Sequence, residues 1–300
     1  MKRRIIKQAN QAYTITLPIE WIRANGLTKS TEIDVKILNN ALILSNSESR
    51  ENKKTNIKID NDDIGYISRR ISALYAKGID EIEISSSKDI QKVLYGILDQ
   101  YIGFALLSQK SKDYIIKDIG GIKDNVEEIF KRVFQVLINF YESAYLDIFG
   151  KQEETIENLA SRDREINRLC LYLQRAINKS LYSDDLKGRI LFTYSFELEK
   201  IGDEIHRLWR TNIKHDVKKS PELKKLMEES KDALGFLFDS FSQNKEYYED
   251  IKSLRQKVRE DSLSMLRLNP YTARFVRHIT KIIEDSTDLI HLNLMIQEEK

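Results

Sequence analysis

Two groups of acidic and histidine side chains in the C-terminal part of the chain are candidates for metal chemistry. Each group reads E-x3-D-x2-H, and every position of the second group lies 85 residues after its counterpart in the first. The six residues are Glu199, Asp203, His206, Glu284, Asp288 and His291. Carboxylate and imidazole groups are ligands that metal ions accept in proteins. The repeat therefore predicts a duplicated helical module with a metal-binding face.

Helical geometry decides how these side chains could share an ion. Both groups lie in helical hydrophobic patterns, where positions i, i+4 and i+7 fall within roughly 60° of one another. Glu199 and His206 are nevertheless about 10 Å apart along a helix axis, so one ion cannot take both directly. Asp203 can share an ion with either of them. The spacing predicts a multinuclear site or separate ions, and the mixed ligand set favours iron or zinc.

The same residues also fit a purely structural interpretation. Asp and Glu make up 47 of the 300 residues, so one acid four positions after another is common on solvated helix faces. However, only four histidines exist and two of them occupy matching positions, as do Arg189 and Arg274. Two interpretations stay open: a metal-binding face, or a duplicated bundle whose acids and histidines pair with Lys and Arg.

Composition predicts a mainly helical protein with more than one domain. Three hundred residues suggest two or three domains, and a charged fraction of 32% with only three Pro suits helices. Cys170 is the single cysteine, which excludes an intrachain disulfide and fits a core residue in a cytoplasmic protein. No run approaches eighteen apolar residues, so we expect no membrane-spanning segment.

The first 45 residues predict a small β-rich head. Strand patterns cover 3–10, 12–17, 32–38 and 41–45. Pro18 starts a short helix between the second and third of these strands. A unit of this size with free strand edges is too small to be stable alone, so we expect a homodimer in which each chain completes the other's sheet. The polar stretch 46–54 is predicted to be a linker.

Two regions of different character follow the linker. Residues 55–119 predict a small α/β segment, in which strand patterns alternate with helices at 63–78 and 88–101. After Gly120 and Gly121 only helical patterns appear. They divide into two three-helix repeats at about 122–214 and 222–298, separated near Ser220-Pro221. The 85-residue offset agrees with this division, and the whole of 122–298 predicts a six-helix bundle.

The head resembles SpoVT/AbrB-type swapped-hairpin DNA-binding domains. The stretch RRIIKQANQAYTITLPIEW, followed by GLTKSTEIDVKI and ALIL, carries the resemblance. It implies two interlocked chains with basic residues of the N-terminal strand on DNA. The residues that match are Arg3, Arg4 and Lys7, with Lys2 beside them. Seven Lys or Arg against three acids in residues 1–45 agree with a partner rich in phosphate groups.

The region from about 122 to 298 resembles PhoU, a regulator of phosphate uptake with two three-helix repeats and acidic metal-binding motifs. FELEKIGDEIHRL (196–208) and IIEDSTDLIHLN (282–293) are similar to its E-R-I-G-D stretch. SRDREINRLC (161–170) resembles its earlier D-x3-D helix, with Asp163 matching and Asn167 in place of the second acid. The resemblance thus adds Asp163 to the candidate ligands.

The order of parts resembles archaeal PhoU-like proteins that join an AbrB-type head, an α/β segment and a PhoU bundle. This implies a cytoplasmic, dimeric transcriptional regulator of phosphate uptake that binds operator DNA and senses metal, phosphate or a transporter partner. Two alternatives belong to other classes: an adaptor that docks on a phosphate transporter subunit without binding DNA, and a di-metal enzyme on a helical bundle. No catalytic triad, Walker loop or dinucleotide fingerprint occurs, so we expect no enzyme.

Overall fold

A computed structural model describes residues 2–8, 12–38, 41–45, 52–121, 125–151, 153–179, 186–243 and 245–297. The chain is mainly helical, with small sheets near its N-terminus and in its middle. It divides into two compact units, Met1–Asn52 and Lys53–Lys300. Most of the predicted linker, 46–51, lies outside the described residues. The prediction extended the linker too far, because Lys54 already belongs to the first strand of the second unit.

The first unit contains two antiparallel strand pairs and one short helix. Its elements are β1 (Ile6–Gln8), β2 (Ala12–Thr14), α1 (Ile19–Ala24), β3 (Asp34–Leu38) and β4 (Ala41–Ser45). β1 pairs with β2, and β3 pairs with β4. The strands predicted at 32–38 and 41–45 are observed as this second pair, with β3 beginning at Asp34, two residues later than predicted. The first two strands are shorter than predicted. β2 ends at Thr14, and of the described residues before β2 only 6–8 form a strand.

None of the described side chains in this first unit is buried. In the β3–β4 hairpin, Val35 lies opposite Leu44 and Ile37 opposite Leu42. Residues two apart in a strand and directly opposite across a pair point to one face of the sheet. Val35, Ile37 and Leu42 are 56%, 75% and 63% exposed. The hairpin thus presents an open apolar face, which we call the hairpin face.

The second unit begins with a four-stranded sheet and two helices. Its elements are β5 (Lys54–Ile59), α2 (Ile64–Ala76), β6 (Glu81–Ser86), α3 (Gln91–Leu98), β7 (Phe104–Lys110) and β8 (Asp113–Asp118). The strand order is β5-β6-β8-β7, with β5 parallel to β6 and the other neighbours antiparallel. α2 crosses between the parallel strands. Its first turn is capped by Asp63, whose side chain accepts a hydrogen bond from the Tyr66 N–H at 2.7 Å.

Six long helices complete the unit, as the hydrophobic periodicity predicted. They are α4 (Val126–Phe149), α5 (Ile156–Lys179), α6 (Leu186–Lys214), α7 (Pro221–Gln243), α8 (Tyr248–Met265) and α9 (Pro270–Gln297). Within each group of three, the first and second helices pack on the third, and α6 also packs along α9. The apolar stripe of α4, including Phe130 and Phe134, is buried in one continuous core with the α/β segment.

A buried arginine joins the α/β segment to the helices. Arg175 of α5 is 0% exposed, and its guanidinium donates to the carbonyls of Tyr75 and Ile79 at the end of α2. It also donates to Asp80, the residue before β6, at 2.8 Å and to Asp118, the last residue of β8, at 2.7 Å. Lys179, one turn further along α5, bonds to Asp80 as well. We call this group the Arg175 clamp.

Candidate metal centre and nucleic-acid interface

The first predicted stripe lies on α6 and faces α5. Glu199, Asp203 and His206 occupy one side of α6, and Asp163 of α5 stands opposite. The His206 Nδ1 lies 3.2 Å from the Asp163 Oδ1, and both side chains are mostly buried. The cluster of Asp163, Glu199, Asp203 and His206 is called the first acidic cluster below. Four predicted residues from two helices are therefore brought together.

Electrostatics in this cluster favour a positively charged partner. Burial raises the pKa of Glu199, and the nearby carboxylates of Asp203 and Asp163 raise it further. Burial also raises the pKa of Asp203, although Arg207 opposes that shift. Raised carboxyl pKa values mean that the negative charges are incompletely compensated. A cation placed among them would be stabilised.

The first acidic cluster is nevertheless partly neutralised by side chains of the protein. Arg207 donates to Asp203 at 2.5 Å and to Glu204 at 2.6 Å. The Asp163 Oδ1 and the Asn167 Oδ1 are buried without a hydrogen bond. Throughout the described ranges, no three His, Cys, Asp or Glu side chains are grouped so that they could hold one metal ion. The cluster therefore has side chains of suitable ligand types, but in the observed side-chain conformations they do not converge on one ion position.

The second stripe lies on α9 and faces α8, where it meets arginines instead of an acid. Arg259 donates two hydrogen bonds to Glu284, the shorter at 2.6 Å. Arg255 lies 3.9 Å from Asp288, and His291 is exposed. Both acids of the second stripe therefore have an arginine partner, whereas no second acid among the described residues of α8 faces them in the way that Asp163 faces the first stripe. Glu284 and Asp288 pair with arginines, as the purely structural interpretation predicts.

Several residues that shape these clusters were missed by sequence reasoning. Arg207 lies four residues after Asp203, a spacing that predicts a helical ion pair and could have been used. Arg255 and Arg259 are 25 or more positions from the acids they meet, so no local pattern could have found them. The buried His278 of α9 bonds through its Nδ1 to Glu204 at 2.6 Å, and its Nε2 has no partner. This contact links α9 to α6.

Basic residues predicted to touch DNA lie along the first strand and the segment before it. Lys2, Arg3, Arg4 and Lys7 are all exposed. None of them makes an ion pair with a carboxylate in the part of the chain that is described. Lys7 lies in β1 opposite Tyr13, which is 65% exposed. Residues 2–7 thus offer four cationic side chains, and the last of them, Lys7, lies opposite an accessible aromatic ring.

The chain matches no protein-family model and no curated protein. In the ranges that the structure covers, no helix combines the length and the apolar character that crossing a lipid bilayer requires.

Proposed function

We propose that this protein is a dimeric, DNA-binding transcriptional regulator of phosphate uptake. The observation that carries the proposal is the exposure of the side chains in the first unit. It has no buried described side chain, yet it holds an open apolar hairpin face and four exposed basic residues. A small unit of this kind gains stability by association, and its cations suit the DNA backbone.

The dimer is inferred from the apolar area that a single copy leaves in water. Val35, Ile37 and Leu42 are each more than half exposed on the hairpin face, and Ile6 on β1 is 54% exposed. Burying apolar surface contributes about 25 cal/mol per Å², so an unmatched apolar face favours association. A second copy presents the same face, which suits a symmetric dimer with interlocked hairpins. Two copies of the basic segment 2–7 would then lie on one assembly.

DNA binding is tested by reversing the charge of the basic segment before β1. The Arg3→Glu/Arg4→Glu variant places two acids where phosphate groups would lie, so we expect mobility-shift binding to operator-containing DNA to be lost. The charge-matched control is Arg23→Glu/Lys29→Glu, which alters two exposed basic residues of the same unit away from β1. We expect the control to retain binding within a few-fold. Unchanged binding by the Arg3/Arg4 variant would refute the assignment.

We further propose that any metal ion used by the protein is held at the first acidic cluster. The support is chemical: three carboxylates and an imidazole come from two helices, the Asp163 Oδ1 accepts no hydrogen bond and lies 3.2 Å from the His206 Nδ1, and the carboxyl pKa values of Glu199 and Asp203 are raised. Asp203 would have to release Arg207 to join. Iron or zinc suits this ligand set. A bound ion would add positive charge that lowers those pKa values and ties α5 to α6.

An adaptor that docks on a phosphate transporter subunit is the second candidate function. One observation favours it: the end of α8 and the turn after it expose Leu263, Leu266 and Leu268, at 63%, 43% and 43%. Clustered apolar residues at a surface are typical of protein interfaces. Co-purification of the transporter subunit with the wild type but not with Leu263→Glu/Leu266→Glu, together with absent DNA binding, would select this function. DNA binding without co-purification would reject it.

A further inference from the structure

We propose that three residues couple the first acidic cluster to the contact between the two helical repeats. Arg207 and Glu204 lie on α6, in the first repeat, and His278 lies on α9, in the second. A chain of hydrogen bonds runs through them from Asp203, a member of the cluster, and we call the three residues the relay. This inference rests on the proposed function for one point, a metal ion beside Asp203; the relay itself can be tested without metal.

The relay begins with one guanidinium group that holds two neighbouring carboxylates. Arg207 donates through its Nη2 to the Asp203 Oδ2 at 2.5 Å and through its Nη1 to the Glu204 Oε1 at 2.6 Å. These acids precede Arg207 by four and three residues, so all three side chains share one face of α6. The Arg207 side chain is half exposed, so its charge can also be solvated by water. If Asp203 is lost as an acceptor, Glu204 is the remaining partner of the guanidinium among the described residues.

The Glu204 carboxylate connects the two halves of the relay. Its Oε1 accepts from Arg207, and its Oε2 lies 2.6 Å from the His278 Nδ1. Burial alone would raise the pKa of Glu204, but the hydrogen bonds from His278 and Arg207 lower it overall, so the carboxylate is ionised at neutral pH. An ionised carboxylate only accepts, which makes His278 the donor. Because two donors share one negative charge, weakening one hydrogen bond strengthens the other.

The His278 ring depends on Glu204 for its described polar contact. His278 is 2% exposed, and its Nε2 is buried with no hydrogen-bond partner among the described residues. Buried polar groups normally have partners, so a ring that is bonded on one side only is oriented by that one bond. Since α6 and α9 belong to different repeats and pack along each other, a change at Glu204 acts on the contact between the repeats.

Competition for Asp203 sets the direction of the coupling. A metal ion and the Arg207 guanidinium are both positive, so an ion that takes Asp203 displaces the guanidinium. Arg207 then keeps a single half-exposed pair with Glu204, and pairs of this kind are weak. Glu204 gives more of its charge to His278, and the contact between α6 and α9 tightens. Linkage is reciprocal, so a firm bond between His278 and Glu204 also favours the release of Asp203.

The sequence repeat shows that the relay belongs to the first stripe only. With the offset of 85 residues, Glu204 corresponds to Leu289 and Arg207 to Leu292. A leucine side chain offers neither a charge nor a hydrogen bond, so the second stripe lacks both relay residues of its own helix. The Glu, Asp and His of the stripe recur, whereas these two residues do not. The relay therefore accompanies the stripe that faces Asp163, the one proposed to bind metal.

Nuclear magnetic resonance of the full chain with isotope-labelled histidine tests the relay, since the sequence has only four histidines. His278 reports on the relay, and His215 and His291 are internal references outside it. Asp203→Ala, measured without metal, removes the acceptor at the start of the relay. We expect it to shift the ring-nitrogen signals of His278 and to leave both references unchanged. In an Arg207→Gln background, the same substitution should no longer shift the His278 signals.

Two further variants make this measurement decisive. The matched control Asp288→Ala removes the corresponding acid of the second stripe, which lies on the same helix as His278, about 15 Å away along the axis. We expect it to leave the His278 signals unchanged. Arg207→Gln alone should shift them, which keeps the relay testable if Asp203→Ala does not fold. His278 signals that do not respond to Asp203→Ala, or that respond equally with and without Arg207, would overturn the inference.

A zinc titration of the same labelled protein separates the relay from the metal site. In the wild type, we expect zinc to shift the signals of His206, which lies in the cluster, and of His278. In Arg207→Gln, only His206 should respond. A response of His206 without His278 in the wild type would support the metal site and refute the relay. If His206 does not respond, the metal site is refuted instead, and the comparison of Asp203→Ala with and without Arg207, which uses no metal, still decides the relay.

Discussion

The Arg175 clamp yields a stability prediction that can be worked from the structure. Arg175 makes four hydrogen bonds, two of them to the carboxylates of Asp80 and Asp118, which are 7% and 5% exposed. Replacement by Met keeps the packing volume roughly but leaves two buried carboxylates with Lys179 as their remaining cation. Breaking a buried pair costs about 3–5 kcal/mol, because an uncompensated charge stays inside. We expect Arg175→Met to lose free energy of unfolding in that range.

The assay can be confined to the second unit. The chain has two tryptophans, Trp21 in the first unit and the buried Trp209 in the second. In a Trp21→Phe background, urea unfolding followed by fluorescence therefore reports on Trp209 alone. The control Arg168→Met changes an exposed arginine of the same helix and should move the free energy by no more than about 0.5 kcal/mol. A change below about 1 kcal/mol in Arg175→Met would refute the reasoning.

The pH dependence of the clamp has a definite sign. Burial alone would raise the pKa of Asp118, but hydrogen bonds from Arg175 and from the backbone of Gly121 lower it overall. A carboxyl with a lowered folded pKa contributes stability that is complete above its unfolded value near 3.8 and is lost as pH falls through the folded pKa. The deficit of Arg175→Met should therefore be largest near neutral pH and should shrink below about pH 4. A constant deficit across that range would contradict the role of the carboxylates.

Three further predictions concern the candidate sites and the dimer. Asp203→Ala should reduce the iron or zinc content of purified protein at least severalfold, whereas Asp288→Ala should leave it unchanged, as measured by plasma emission spectrometry. In protein stripped of metal, Glu199→Gln should raise the thermal unfolding temperature at pH 7. The reason is that it removes the charge of a carboxyl group whose pKa is raised by burial and by neighbouring acids. The gain should vanish below about pH 4, where Glu199 is itself protonated. Ile37→Glu, at a position 75% exposed in one copy, should convert the proposed dimer to monomer in sedimentation experiments.

Each of these predictions has its own contradicting result. Equal metal in the Asp203 and Asp288 variants rejects the first acidic cluster as a site. If Glu199→Gln instead lowers the unfolding temperature at pH 7, the Glu199 carboxylate is not destabilised by burial and neighbouring acids. For Ile37→Glu the control is Ile119→Glu, which alters an equally accessible apolar residue of the second unit, 68% exposed. If both variants behave alike in sedimentation, the hairpin face does not form the dimer.

Sequence reasoning identified the helices and strands well because their signals are local. Helical patterns predicted three helices in about 122–214 and three in about 222–298, and α4 to α9 are observed there. Cys170 was predicted to be a core residue and is buried. Element ends were less accurate: the linker was extended into β5, and β2 was taken three residues too far. A strand ends where its neighbouring strand stops pairing with it, and the hydrophobic pattern of one segment carries no information about that neighbour.

The spacing E-x3-D-x2-H by itself determined that two matching stripes lie on α6 and α9, because residues three and four apart share a helix face. The partner of each stripe was decided by tertiary packing alone. α5 presents Asp163 to the first stripe, so like charges gather there, whereas α8 presents Arg255 and Arg259 to the second, so opposite charges cancel. Helical periodicity acts over a few residues, but the charge that meets a stripe comes from a helix elsewhere in the chain.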